Sequence, residues 1–489
     1  MKRYALLLAS YFLLQNLTAS DFDWNKTTRT AYTEIRELRL TSGRELLKKE
    51  VTNPGIRLYL ENYADIVYLL VTEDPAYFKQ AQNREDERLE AVEKMDKNSP
   101  YKRFVQAEIR LHWAFVKLKF GKELSGCWDI IKAYRLLDEN HQKFPTFLPN
   151  QKSLGLLHVL IGATPDSYQW VPNLLGLRGN ITQGLQEIQT VARQDSVFRP
   201  EAQLIDYLLN SYVIGMTDKK ILDLEQTIRQ QPDDLLFHLF GASMFIKNNQ
   251  SERALKVLLS RPSGADYLVV PSLEYLKGEA LLEKGLYPKA IEAYQAYLRL
   301  QKGHNFLKDA HHKIFLAYFL QGKETEGKVH LENVLRLGKT ITEPDKAAQR
   351  FAEEYQKGWK PVPQLLKARL AFDGGYYSQA LSYLQANKES DFTQPKDKAE
   401  YTYRLGRILQ KMNELDQVVP LYERTIVLSN QTDWSFGATA SLQLGYIYLA
   451  KNQPQKAKQY FQKTLSYHKH EYKTSVDNKA RAALNKMGH

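Results

Sequence analysis

The sequence predicts an all-α fold, an α-α superhelix in which antiparallel helix pairs stack as a right-handed solenoid. The first observation is a two-helix pattern at 444–465, LGYIYLAKNQPQKAKQYFQKTL, which combines the small residues Gly445 and Ala457 with the aromatic Phe461. The second is its recurrence upstream, where the corresponding anchor positions are Gly278, Phe315, Ala368 and Gly406, with a weaker unit at 237–259. Small residues let two helices touch, and stacked pairs bury a continuous core.

The spacing of these anchors predicts one additional helix. Successive anchors from Gly278 to Gly445 are 37, 53, 38 and 39 residues apart. A nominal unit takes about 34 residues. The 53-residue gap therefore has room for a further helix, which residues 344–357, PDKAAQRFAEEYQK, are expected to form because they have helical periodicity.

The N-terminus predicts export. Lys2 and Arg3 precede a short apolar run, and Thr18-Ala19-Ser20 offers a small-residue cleavage site, which is typical of a secretory signal peptide. The protein is therefore expected in the periplasm or outside the cell, with an uncleaved membrane anchor as the alternative. The predicted segments are a signal peptide at 1–20, an N-terminal helical region at 21–145, a helical hairpin linker at 146–195 and the repeat array at 196–489.

Composition and charge narrow the class of partner. The chain has 489 residues, 43% of them hydrophobic and 25% charged, which is globular usage. The net charge of +12 is diluted over this length, and the densest basic segment is the tail at 456–486. The favoured interpretation of this segment is a solvated face of a terminal helix, and the alternative is contact with an anionic surface such as membrane lipid headgroups or acidic glycans, while nucleic acid is not an expected partner. Cys127, the only cysteine, is expected to be buried and excludes an intramolecular disulfide.

Residues 230–470 resemble tetratricopeptide-repeat proteins, because the Gly-Leu, Tyr, Ala and Phe positions recur in register. A second stretch, 155–189, GLLHVLIGATPDSYQWVPNLLGLRGNITQGLQEIQ, resembles the segment before the repeats in the tetratricopeptide-39 and inclusion-body-clearance group. Members of that group are intracellular, whereas this chain has a predicted export signal. The glycines at 176, 179 and 184 do not indicate a phosphate-binding loop, because no Gly-Lys-Ser/Thr follows them.

The tetratricopeptide resemblance implies that certain positions of the first helix in each pair line a concave groove. The groove candidates are Tyr275, Glu279, His312, Arg369, Tyr403, Arg407, Gln410, Lys411 and Tyr446. The lysine and asparagine clamp by which some family members hold a carboxylate is not expected in these units. Tyr448 and Phe461 are expected in the core.

The sequence predicts no enzyme, cofactor or metal site. It lacks a His-Glu-x-x-His helix and a Gly-x-Ser-x-Gly turn, and His304 and His311 are seven residues apart, too far along a helix to share one ion. The predicted function is a non-catalytic scaffold that binds a protein or peptide in its groove. Two alternatives stay open: glycan binding, indicated by the 30 tyrosines, and a helical-repeat enzyme with Glu279 or Glu283 facing Asp373.

Overall fold

The computed structural model describes residues 21–164, 172 and 175–488, and these contain helices and no strand. The first half comprises α1 (Lys26–Arg36), α2 (Leu40–Lys49), α3 (Pro54–Thr72), α4 (Pro75–Ala81), α5 (Arg84–Glu93), α6 (Pro100–Lys119), α7 (Glu123–Lys143), α8 (Leu148–Gly162), α9 (Ile181–Gln194), α10 (Arg199–Leu209), α11 (Asp218–Gln230), α12 (Leu235–Lys247) and α13 (Ser251–Leu259). A π-helix, Asn210–Ile214, continues directly from α10. The predicted signal peptide at 1–20 lies outside the described residues.

The second half continues the helical array. It comprises α14 (Pro271–Glu283), α15 (Tyr287–Leu300), α16 (Leu307–Leu320), α17 (Glu324–Arg336), α18 (Glu343–Gln356), α19 (Pro363–Asp373), α20 (Tyr377–Leu384), a 3₁₀ turn (Glu389–Asp391), α21 (Pro395–Lys411), α22 (Leu415–Leu428), α23 (Ser435–Ala450), α24 (Pro454–Leu465) and α25 (Lys473–Lys486). No helix among the described residues is long and apolar enough to span a bilayer.

Close glycine–aromatic contacts hold the helix pairs together. A Cβ atom on Gly278 of α14 would lie 2.8 Å from the Tyr294 ring of α15, and one on Gly406 of α21 would lie 2.8 Å from the Tyr422 ring of α22. Gly445 contacts Phe461 in the same way. A larger residue at any of these glycines would push the two helices apart. The contacts lie in the helix pairs that the sequence predicts, and the predicted all-α fold of tetratricopeptide-like pairs is confirmed.

The pair at Phe315 uses the same contact in reverse. Here the aromatic residue lies on the first helix, α16, and the glycine lies on the second, where a Cβ on Gly327 would be 3.1 Å from the Phe315 ring. The glycine and the aromatic residue thus occupy the opposite helices from those in the other pairs, and the interface between the two helices is still closely packed. This exchange explains why Phe315 occupies the anchor position that is glycine or alanine in the other four units.

The hairpin formed by α8 and α9 crosses at two glycines. A Cβ on Gly155 would lie 2.7 Å from the Gly184 carbonyl oxygen, so the two backbones touch at this point. The glycines at this crossing therefore serve packing. The Asn180 side chain caps α9, because it accepts a hydrogen bond from Gln183 N at 3.0 Å.

The N-terminal helices close back onto the middle of the chain. Arg36 at the end of α1 forms an ion pair with Asp234, which precedes α12. Leu268 N donates a backbone hydrogen bond to the Leu38 carbonyl oxygen at 2.8 Å, and α3 contacts α14. The first half of the array is therefore a closed arrangement of helices instead of an open row.

The expectation that Cys127 is buried is wrong. Cys127 is exposed, because its neighbour Gly126 lies on the face of α7 that packs on α6, where a Cβ on Gly126 would be 3.0 Å from the Ala114 carbonyl oxygen. In the charged helix α5, Glu85 is buried and pairs with Lys117 at 2.5 Å.

Candidate functional site

The first helices of successive pairs lie side by side, so their side chains can form one surface. In order of contact these helices are α14, α16, α19, α21, α23 and α25. All nine predicted groove residues lie on these helices, and all but Gln410 fall into three groups that differ in charge and exposure. The groups are a lysine-centred cluster, a basic strip and a covered histidine.

The lysine-centred cluster consists of Tyr275, Glu279, Asp309 and Lys313. Lys313 Nζ lies 2.5 Å from Glu279 and 3.1 Å from Asp309, and Tyr275 donates a hydrogen bond to Asp309. The two carboxylates raise the pKa of Lys313 against the opposing effect of burial. Tyr275 and Glu279 are therefore already bonded within the protein, so they are less available to a peptide than the resemblance implies.

Glu283 and Asp373 come close together next to this cluster, as the enzyme alternative requires. Burial is the main cause that raises the pKa of Glu283 well above its usual value, and the negative charges of Glu279 and Asp373 add to it. Burial also raises the pKa of Asp373, although Arg404, Arg369 and Arg407 oppose that shift. The arrangement favours a neutral, protonated Glu283, which accepts a hydrogen bond from Ser251.

The basic strip consists of Arg369, Tyr403, Arg407, Lys411 and Tyr446 on α19, α21 and α23. Within the described residues, no carboxylate lies within ion-pair distance of the three cationic groups, whereas the neighbouring Arg404 pairs with Glu400 at 3.0 Å. The Arg407 guanidinium lies 5.3 Å from the centre of the Phe372 ring. The strip thus combines cationic groups that form no direct ion pair within the described residues with aromatic surface, and Asp373 is a buried carboxyl in the electrostatic neighbourhood of its two arginines.

The aromatic members of the basic strip are partly accessible. The Tyr446 side chain is 38% exposed, and its ring contacts Phe461 with centroids 5.2 Å apart. Tyr403 is half-buried and contacts Phe436 at 5.5 Å. Gln410, between the arginines and Tyr446, bridges two pairs, since it accepts from Tyr422 at 2.6 Å and donates to Gln443 at 3.2 Å. Phe461 is fully buried, as expected. Tyr448, which was also expected in the core, is half-buried.

His312 is the groove candidate that the structure places elsewhere. Its ring is buried against Phe351 of α18, with centroids 4.3 Å apart, so the additional helix covers it. Neither ring nitrogen has a hydrogen-bond partner among the described residues. Burial lowers the pKa of His312 to about 3, although Asp309 opposes the shift. The sequence could not reveal this position, because the repeat pattern carries no information about what covers a groove.

Acid should destabilise the protein in part through His312. Because its folded pKa lies below its unfolded value, the contribution of the neutral ring is present above about pH 6.5 and is lost as the pH falls towards 3. Between pH 6 and 4, we expect the free energy of unfolding of the unmodified protein to fall with each pH unit by about 1 kcal/mol more than that of His312→Leu. Urea titrations at each pH measure this. Leu316→Ala on the same helix is the control, since it should lower stability without changing the slope.

Two histidines nearby form a pair that the sequence pattern does not predict. Because α16 begins at Leu307, His304 lies outside the helix that carries His311. His311 instead lies 2.9 Å from His330 of α17, measured between their Nδ1 atoms. Burial lowers the pKa of His311 to about 4, so this contact is one between neutral rings.

A buried triad of Glu108, Lys152 and Glu201 joins α6, α8 and α10. Lys152 Nζ lies 2.6 Å from Glu108 and 2.9 Å from Glu201, and its side chain is 2% exposed. Glu108, His112 and Glu201 have ligand atoms close enough to share a metal ion. The Lys152 ammonium already lies between the two carboxylates, however, and supplies the positive charge that an ion would bring.

The buried triad borders a cavity of about 890 Å³ that is lined by helices of both halves. We call it the central cavity. Most of its lining is aliphatic or aromatic, including Ile66, Leu111, Leu156, Leu204, Leu239 and Leu276. Polar lining comes from the triad on one side and from Tyr275, Glu279 and Lys313 on another. No sequence signal predicted this space, because its walls come from helices far apart in the chain.

Comparisons with known proteins give only distant likenesses. No family model and no curated protein matches the chain. Among solved structures, the P58(IPK) TPR domain is 13% identical with a TM-score of 0.22, over 88% of this chain and 99% of that one. The apo form of the quorum sensor NprR from B. thuringiensis is 12% identical with a TM-score of 0.34, over 83% and 98%. The human IFIT1 dimer with PPP-AAAA is 14% identical with a TM-score of 0.31, over 96% of each chain.

TM-scores in this range carry no argument about function. The tetratricopeptide-like character of the fold therefore rests on the chain's own helix pairs and on their glycine–aromatic contacts. The resemblance of 155–189 to the tetratricopeptide-39 and inclusion-body-clearance group stays a prediction.

Proposed function

We propose that the protein is an exported, non-catalytic helical-repeat scaffold that binds an acidic peptide segment of a partner protein along the basic strip. The observation that carries this proposal is that Arg369, Arg407 and Lys411 form no direct ion pair among the described residues, while Lys411 and the ring of Tyr446 are exposed. Export is part of the proposal and rests on the sequence at 1–20.

The chemistry of the strip favours an extended acidic segment over other ligands. Arginine binds carboxylates through two parallel hydrogen bonds, and tyrosine adds apolar contact at a small cost in conformational entropy. Both residue types are enriched at the energetic centres of protein interfaces. A rigid helical array also reduces the ordering that binding would otherwise require.

A fluorescence anisotropy titration tests the proposal. The probes are two labelled peptides of equal length, one that alternates aspartate with tyrosine and one that has lysine in place of aspartate. We expect saturable binding of the acidic peptide only, and at least about a tenfold loss of affinity in Arg369→Glu/Arg407→Glu. Higher salt should weaken the complex, since the contacts lie near the surface.

The matched control is Arg193→Glu/Arg229→Glu, which makes the same charge change at exposed arginines of α9 and α11. Affinity should stay within about twofold of the unmodified protein. Equal losses in both double variants would show that net charge alone drives binding and would contradict a defined site. Tyr446→Ala should weaken binding by about fivefold without changing the salt dependence.

A further inference from the structure

The central cavity has the size of a ligand site and an interior that suits an apolar chain. Its volume of about 890 Å³ lies within the roughly 300–1,000 Å³ typical of small-molecule pockets. The polar groups on its walls bond mainly to one another: Lys152 binds Glu108 and Glu201, and Lys313 binds Glu279 and Asp309. A polar ligand would have to displace these contacts, whereas an apolar one leaves them intact.

The cavity opens to solvent beside the π-helix Asn210–Ile214. Tyr212 and Val213 line the cavity and are 48% and 36% exposed. The Tyr212 hydroxyl lies 2.6 Å from Ser243 Oγ of α12, so this mouth lies between the π-helix and α12. π-Helical turns are uncommon and occur often at functional sites. Exposed apolar side chains at the entrance of an apolar cavity provide a path for an apolar chain.

A cationic group lies at the same mouth. Lys247, one turn after Ser243 on α12, lines the cavity and is exposed, with no ion pair among the described residues. Lys479 of α25 and Arg407 of the basic strip lie near it: burial lowers the pKa of the Lys479 ammonium, and repulsion from Lys247 and Arg407 lowers it further. Lys247 is thus a cation at the point where the apolar interior meets solvent, and the positive charges of Lys479 and Arg407 lie on the side of α25 and α21.

We infer that the central cavity binds a single-chain amphiphile of the long-chain fatty acid type. Its apolar chain fills the space between Leu156, Leu204 and Leu239, and its anionic head group lies at the mouth against Lys247 and Lys479. Each buried methylene of such a chain contributes to affinity by leaving water, and the head group keeps its hydration and gains a positive neighbourhood.

A titration with a fluorescent long-chain polyene fatty acid, using the full chain, tests this assignment. We expect saturable binding of one molecule per chain. Ser272→Trp, which adds an indole to the cavity wall on α14, should lower the affinity at least about tenfold. Leu222→Trp, at an exposed position of α11 outside the cavity, is the matched control and should leave affinity unchanged. Circular dichroism verifies that both variants fold.

A second comparison tests the head group. An alcohol of the same chain length should bind about fivefold more weakly than the acid, and Lys247→Glu/Lys479→Glu should remove that preference. Equal affinity for acid and alcohol would overturn the anionic assignment. Absence of binding, or equal binding by Ser272→Trp and Leu222→Trp, would overturn the site itself.

The remaining outcomes separate other occupants and the peptide site. Binding that appears only after removal of residues 1–20 would mean that the chain's own apolar segment fills the cavity, which would also overturn the proposal. Because Ser272 lies on the cavity wall and outside the basic strip, Ser272→Trp should keep full affinity for the acidic peptide. Loss of fatty acid binding with intact peptide binding therefore distinguishes the two sites.

Discussion

Lys152→Met is expected to lower the free energy of unfolding by about 3–5 kcal/mol at neutral pH. The change leaves Glu108 and Glu201 of the buried triad facing each other without their shared cation. Hydrogen bonds from Ser153 to Glu108 and from Tyr32 to Glu201 at 2.6 Å remain, but they do not neutralise either charge. A urea titration followed by circular dichroism measures the effect.

The pH dependence of this variant provides an independent check. In the unmodified protein, Lys152 and His112 lower the pKa of Glu108, so its contribution to stability is lost as the pH falls. Without Lys152, burial should raise that pKa, and the variant should regain stability as the pH falls from neutral. Lys152→Met/Glu108→Gln should recover part of the loss. The control Lys346→Met removes an exposed pair with Glu343 and should cost less than about 1 kcal/mol.

Gly184→Val is expected to destabilise the protein by about 3 kcal/mol, in the upper part of the range for overpacking. The added side chain would meet the Gly155 carbonyl oxygen of α8, and Val159 at 2.8 Å. Backbone atoms cannot rotate away, so the two helices must separate along the hairpin. The thermal midpoint and the urea midpoint should fall together.

The matched control is Gly327→Val, at a helix crossing closed by side chains. There the added group faces the Phe315 ring and Tyr318 Cβ, both at 3.1 Å, and a ring can move by a few tenths of an ångström. We expect less than half the loss seen for Gly184→Val. Equal losses at the two glycines would contradict the argument that backbone contact makes the α8–α9 crossing rigid.

The helix pairs were predictable because each depends on residues close together in the sequence. Gly406 and Tyr422 lie on consecutive helices, and their spacing determines where those helices touch. The helix α18 could be predicted for the same reason, since its periodicity lies within one short segment. Local sequence patterns therefore predicted the helices and the contacts between consecutive helices.

The candidate sites depended on contacts that no local pattern encodes. Tyr275 and Glu279 were expected in an open groove, but they line the central cavity, which forms only when α14 meets helices from the first half. His312 was assigned to the groove because α18 could be foreseen as a helix but not as a cover for α16. Tyr446 is exposed and Arg407 is half-buried on the first helices of neighbouring pairs, and their place in a binding groove stays a prediction.

The ion pair between Arg36 and Asp234 cannot form until both residues have been synthesised. About 200 residues separate the two partners, and ribosomes add roughly 5–20 residues per second, so α12 is synthesised roughly 10–40 s after α1. During that interval α1–α3 can pack on one another and on α6, but the contacts of α1 with Asp234 and of α3 with α14 cannot form. In an open row of repeats, by contrast, each pair could bury its apolar face as soon as the next pair was made.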